Sequence, residues 1–174
     1  MIISVEEAKK HIKTDMEDSV LEAMLQALEL AIRGYTNNNF QNRGIRYQCS
    51  IMAQKVFIED HVLEVGDTVQ ISNSFYNDGV YTITEIDGDF IALNEKLVGE
   101  PMVKVTKVVY PKDVQMGALN MLKWELENRD KVGIQSETIS RHSVTYFNMD
   151  GDNSIMGYPK SLLGFLKPYM KARF

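Results

Sequence analysis

Oxygen donors crowd one stretch of this sequence. Asn148, Asp150, Asp152 and Asn153 resemble a calcium loop, which needs ligands at alternate positions, a glycine at the sixth and a bidentate glutamate at the twelfth. Counted from Asn148, those two positions hold Asn153 and Pro159, so the stretch reads as a solvated turn. His11, His61 and His142 fall on three separate predicted elements without a His-x-x-x-His pair, and are expected as surface or cap residues rather than metal ligands. Cys49, the single cysteine, can form neither an internal disulfide nor a thiolate zinc site. On an apolar-flanked strand it reads as a small buried hydrophobe. The Gly-x-Ser-x-Gly nucleophile elbow is absent. Asn77-Asp78-Gly79 and Asp87-Gly88-Asp89 are acidic, so they repel phosphate and fit hairpin turns instead. No catalytic, cofactor-binding or metal-binding residue is assigned, and an enzyme is not expected.

The chemistry that remains is recognition. After Asp152 the charged side chains are Lys160, Lys167, Lys171 and Arg173, interleaved with Tyr158, Phe165, Tyr169 and Phe174. One reading is a tail that docks on an acidic or aromatic-lined partner. The other is a core-packing helix with a solvated basic face. The first expects the fold to survive removal of everything after Gly157; the second expects a loss of several kcal/mol, as for other deletions of buried side chains.

The elements that must position these residues are set by periodicity. Ser4-Val5-Glu6-Glu7 and Thr14-Asp15-Met16-Glu17 fit capping boxes, predicting helices that begin near Val5 and Asp15. Leu21, Met24/Leu25, Leu28, Ala31/Ile32 and Tyr35 make the apolar stripe of the second, with Glu22, Gln26, Glu29 and Arg33 off it, and Asn37-Asn38-Asn39 turns the chain. From Ile45 to Val109 the period becomes two, as in Thr68–Ser72 and Met102–Thr106, predicting a small barrel or sandwich of roughly five strands. Pro111 opens a third helix along Val114, Ala118, Leu119, Leu122 and Leu126, with a stop at Gly133, and this helix is expected to pack on the second. Glu137 to Phe147 alternates again as an exposed β arm, and a short helix opened by Pro159 and ended or kinked by Pro168 closes the sequence. The fold class is α+β. About four helices form a core from residues 1–44 and 110–174, which includes the arm at 137–147 and the C-terminal tail, and residues 45–109 form an inserted β domain.

Composition narrows the class of function. The 44% apolar and 25% charged content is that of a globular chain, and 174 residues suffice for a real core. A net charge of -5 argues against general polyanion binding. Residues 55–108 hold four lysines against ten acids, a net of -6. No basic n-region with an apolar h-region stands at the N-terminus and no apolar run approaches a membrane span, so neither a signal peptide nor a membrane partner is expected, and a reducing cytoplasm fits the lone cysteine.

Three stretches taken together resemble the phage head-tail connector (adaptor) family of long-tailed, non-contractile phages. They are Ser4–Ile12 leading to Ala31–Thr36, then Ile134–Tyr146, then Gly157–Tyr169. The β insert departs from the family, many of whose members join the second and third helices more directly. The resemblance implies a structural virion protein, a twelvefold ring below the portal that lines the DNA passage, assembled in the host bacterial cytoplasm. Its implied partners are the portal protein, a head-completion (stopper) or tail-joining protein, further copies of itself, and double-stranded DNA that passes without sequence-specific binding. Tyr158, Lys160, Phe165, Lys167, Tyr169, Lys171 and Arg173 are then the portal-docking candidates. Glu137, Ile139, Arg141, Val144 and Tyr146 are the candidates for a subunit-subunit arm, since an exposed strand can add to a neighbour's sheet. The competing reading is a small β-barrel nucleic-acid-binding module, for which Phe75, Tyr76, Tyr81 and Phe90 supply stacking aromatics but the acidic insert supplies no basic groove.

Overall fold

The Ser4 hydroxyl accepts from the Glu7 N–H at 3.1 Å, and this cap opens α1 (Val5–His11) as its sequence predicts. The second capping box does not form. Thr14 Oγ1 accepts instead from the Met16 N–H two residues on, a local turn that competes with the helical bond, and α2 spans Asp18–Thr36 with Glu17 at its N-cap. Asp18 then lies in the first turn at the positive end of the helix, where it pairs with Lys9 of α1. The computed structural model describes residues 1–128, 136–139, 142–145 and 153–172. They are mixed helix and strand, in two compact units: Met1 with Asn39–Tyr110, and Ile2–Asn38 with Pro111–Phe174.

In the helical unit Leu21, Leu25, Leu28 and Ile32 of α2 are buried as the stripe requires. Glu29 and Arg33, which periodicity places off the stripe, are buried as well, so α2 is covered on more than its apolar face. Asn37 ends it in the left-handed region (φ 49°), its N–H returning to the Arg33 and Gly34 carbonyls. The helix α3 (Lys112–Asn128) packs on α2 through a face that includes Val114, Ala118, Met121 and Leu122. Pro111 stands just before it, its carbonyl accepting from the Gln115 N–H, and the expected stop at Gly133 lies outside the described residues.

The predicted arm is a hairpin rather than one extended strand. Strands β7 (Ser136–Ile139) and β8 (His142–Thr145) pair antiparallel from Ser136↔Thr145 to Ile139↔His142, so each satisfies the other's ladder groups. A second small hairpin joins β9 (Ser154–Ile155) and β10 (Tyr158–Pro159) through Met156 (φ 54°) and Gly157 (φ 78°), left-handed residues of the kind a two-residue turn requires. A 3₁₀ helix, Lys160–Tyr169, comes next, with Pro159 as its N-cap and Pro168 in its last turn. No described helix is long and apolar enough to cross a membrane.

The other unit is a closed barrel of six strands. They are β1 (Gln41–Met52), β2 (Lys55–Phe57), β3 (Thr68–Ser72), β4 (Gly79–Asp87), β5 (Phe90–Leu93) and β6 (Glu100–Val108), ordered β1-β2-β5-β4-β3-β6 with every pairing antiparallel. Closure leaves no open edge. Alternate residues fill the inside, among them Ile51, Val56, Val69, Ile71, Ile83, Ile91, Val103 and Val105, and bulges in β1 and β4 bend the strands around them.

Candidate docking surfaces

In the helical unit, the described aromatic side chains of the tail, Tyr158, Phe165 and Tyr169, are engaged with the rest of the unit. Tyr158 is buried with its ring 5.4 Å from that of Trp124, and Leu163 and Leu166 of the 3₁₀ helix are buried too. Phe165 lies over Gly117 of α3, its ring occupying the point where a Cβ would stand, so any other residue there would push the ring aside. Tyr169 donates its hydroxyl to the Asp113 carboxylate at 2.8 Å, a bond that holds the phenol above its ordinary pKa. The end of α2 pins the backbone of the last described residues. Asn38 Nδ2 donates to the Tyr169 carbonyl (3.1 Å), the Thr36 carbonyl accepts from the Lys171 N–H (2.8 Å), and Asn37 Nδ2 donates to the Ala172 carbonyl (2.7 Å). Of the seven portal-docking candidates, Tyr158, Phe165 and Tyr169 therefore hold the tail down, Lys160, Lys167 and Lys171 face solvent, and Arg173 lies outside the described residues.

Of the arm candidates, Glu137 and Ile139 stand on β7 and Val144 on β8, while Arg141, Tyr146 and Phe147 lie outside the described residues. So do Asn148, Asp150 and Asp152 of the calcium-like stretch, whereas the Asn153 carbonyl accepts from the Lys160 N–H at 3.0 Å. Among the described residues no group of three or more His, Cys, Asp or Glu side chains is placed to share a metal ion.

The barrel carries a feature that sequence reasoning missed. Between β3 and β4 the loop Ser74–Asn77 folds over the carboxylate of Glu100, the first residue of β6. Oε1 accepts from the Ser74 hydroxyl (2.8 Å), the Tyr76 N–H (2.9 Å) and Asn77 Nδ2 (3.0 Å), and Oε2 from the Phe75 N–H (3.2 Å). Burial alone would raise this carboxyl's pKa, but the donors outweigh it and hold the group below the ordinary carboxylate value. Asn77 adds a two-way clasp to the Val98 backbone, at 2.9 and 2.8 Å, and Asp78 Oδ1 accepts from the Ser74 N–H at 2.8 Å. At the tip of this tied loop Phe75 is 92% exposed and Tyr76 74% exposed, their ring centroids 6.4 Å apart. The signal in sequence was two adjacent aromatics before an Asn-Asp-Gly turn; nothing local pointed to Glu100.

The outer face of β1 and β6 is different in kind. Val103 and Val105 point inward, so Met102 and Lys104 point out, Lys104 opposite Gln48 and in line with Arg46, whose Nε donates to Thr106 Oγ1 at 3.2 Å. Arg43 and Arg46 are exposed, and β1, β3 and the part of β6 after Glu100 contain no acid. Beside this face runs an open cleft of about 630 Å³ whose walls include Tyr47, Cys49, Phe57, Pro101 and Met102. Cys49 is half-buried there, and burial pushes its thiol up to about 11.

The chain matches no family model and no curated protein sequence.

Proposed function

We propose that this chain is a structural virion protein, a head-tail connector that forms a ring below the portal, joins the DNA-filled head to the tail and lines the DNA passage. The observation that carries the reading is the C-terminal 3₁₀ helix. It coincides with one of the two more specific resembling stretches, it is seated on α2 and α3, and it presents Lys160 and Lys167 to solvent, with Lys171 exposed two residues past its end and no acidic residue from Asn153 to Ala172. A backbone already seated on its own core spares the ordering cost that a loose tail would meet on an acidic surface. In this reading the partners are the portal protein, a stopper or tail-joining protein, and further copies of the chain. An acidic balance over the whole chain keeps DNA moving rather than bound. Reversing Lys160, Lys167 and Lys171 to glutamate is expected to abolish binding to immobilised portal protein while leaving the fold intact; unchanged binding by that folded variant contradicts the assignment of this surface.

The nucleic-acid reading draws on two specific observations, the exposed Phe75–Tyr76 tip and the outer face of β1 and β6 that carries Arg46 and Lys104 on a closed barrel. Fluorescence anisotropy with labelled single strands separates the two readings. Submicromolar binding that collapses steeply with salt favours the barrel as a nucleic-acid module, and its absence favours the connector.

A further inference from the structure

The Phe75–Tyr76 tip is prepared in a way that an ordinary hairpin turn is not. Phe75 and Tyr76 stay in place because their own N–H groups, with the side chains of Ser74 and Asn77, are bonded to Glu100, so presenting the rings costs little further ordering on contact. Rigid, exposed aromatics are the anchor type that dominates interface energetics. Beneath the rings the charge is negative: Glu100 is held ionised, Asp78 is exposed, and the nearby carboxylates of Glu95 and Asp78 add to burial in raising the Tyr81 phenol. No cation lies between Asn73 and Lys96. The complement stands on the same barrel. The β1–β6 outer face offers Arg46 and Lys104 in line with Met102, itself 61% exposed, and adjoins the cleft, whose walls include Phe57 and Met102.

We propose that the barrel makes a head-to-tail contact between copies of this chain, in which the Phe75–Tyr76 tip of one copy seats against the β1–β6 face and cleft of the next. Arg46 and Lys104 meet the ring faces and the anionic base, a pairing in which cation–π and charge attraction act together. The cleft falls within the ~300–1,000 Å³ of sites that enclose drug-sized ligands, enough for two aromatic side chains. Its lining includes one acid, Glu59, which is exposed. Tip and face are different surfaces, so the contact is heterologous and propagates into a ring or filament rather than a closed pair. The proposal deepens the connector reading by naming a subunit interface, and rests on that reading for its biological setting.

Sedimentation equilibrium of the full chain, carried to about 1 mM at low and high salt, tests it. The wild type is expected to self-associate, and F75S/Y76S and R46E/K104E are each expected to weaken this by at least about tenfold, the loss of one anchor pair. R46Q/K104Q serves as the gentler face variant, and circular dichroism checks each fold. Mixed one to one, the tip variant and the face variant should form a dimer that neither forms alone, because each retains the half the other lacks. A wild type that stays monomeric throughout, or a mixture that stays monomeric, overturns the proposal. Self-association unchanged by both double variants overturns it too, while leaving the ring reading intact. Loss of portal binding with barrel association preserved would remove the connector reading and leave this contact standing.

Discussion

Phe165 fills the space in front of Gly117: the ring occupies the point where a Cβ on that helical glycine would be. The fit joins the 3₁₀ helix to α3, and with Tyr158 against Trp124 and Tyr169 on Asp113 it makes the last described segment part of the helical unit rather than a loose tail.

Gly117→Ala is expected to destabilise the helical unit by ~1–3 kcal/mol, the range for overpacking a core, although alanine gains about 1 kcal/mol over glycine in helix propensity. Gly34→Ala is the control. Gly34 is exposed in α2 with nothing within 4 Å of an added Cβ, so the propensity gain should appear undiminished. Urea unfolding of the two variants, read by circular dichroism, should give shifts of opposite sign; equal stabilisation of both would mean that Phe165 is not seated there.

Truncation after Gly157 is expected to cost ~5 kcal/mol or more, since each buried leucine lost, Leu163 and Leu166 among them, is worth ~2–5 kcal/mol, with Tyr158 in addition. Of the two sequence readings of the tail, this is the outcome for core packing, so truncation cannot test docking. A truncated protein that melts within a few degrees of the full chain would refute the packing described above.

The Cys49 thiol, raised to about 11 by burial, should react with disulfide reagents at pH 8 at least about tenfold more slowly than an unfolded control whose thiol titrates near 8.5. The same shift has a consequence for stability. Because the folded pKa is the higher one, the thiol's contribution is complete below about 8.5 and is lost as pH rises from there towards about 11. A Cys49→Ala chain should lack that part of the alkaline decline.

Glu100 titrates in the opposite sense. Its folded pKa lies below the unfolded value, so its contribution is present above the ordinary glutamate pKa near 4.3 and is lost as pH falls through the folded value. Barrel stability should therefore decline on the acid side, and Glu100→Gln should flatten that limb and raise hydrogen exchange at the Phe75 and Tyr76 amides. Identical acid limbs in both chains would mean that Glu100 does not hold the loop.

The helix stripe of α2 and the alternation of β3 and β6 are legible in sequence because one face of each element meets a core, and periods of 3.6 and two survive in the residue order. The Asp87-Gly88-Asp89 turn is legible because Gly88 supplies the left-handed φ of 58°. The sixth strand escaped notice because β2 is three residues long, too short for alternation to register. Thr14 misled because its hydroxyl bonds equally well two residues on as three. The Glu100 cradle left no local trace, since its donors lie up to 26 residues away in the chain and come together only when β3 and β6 pair. The burial of Glu29 and Arg33 was likewise hidden, because covering a polar face depends on elements distant in sequence.

On the function proposed above, the chain is a ring subunit joined to a portal through Lys160 and Lys167 of its C-terminal 3₁₀ helix and Lys171 just past it. The mass of the complex formed with purified portal protein, measured by sedimentation velocity, tests it most directly. A closed assembly carrying one ring of chains per portal is expected for the wild type, and portal sedimenting apart from the chain for K160E/K167E/K171E. Failure of the wild-type chain to sediment with the portal at any ratio, or an identical complex formed by the folded triple variant, would contradict it.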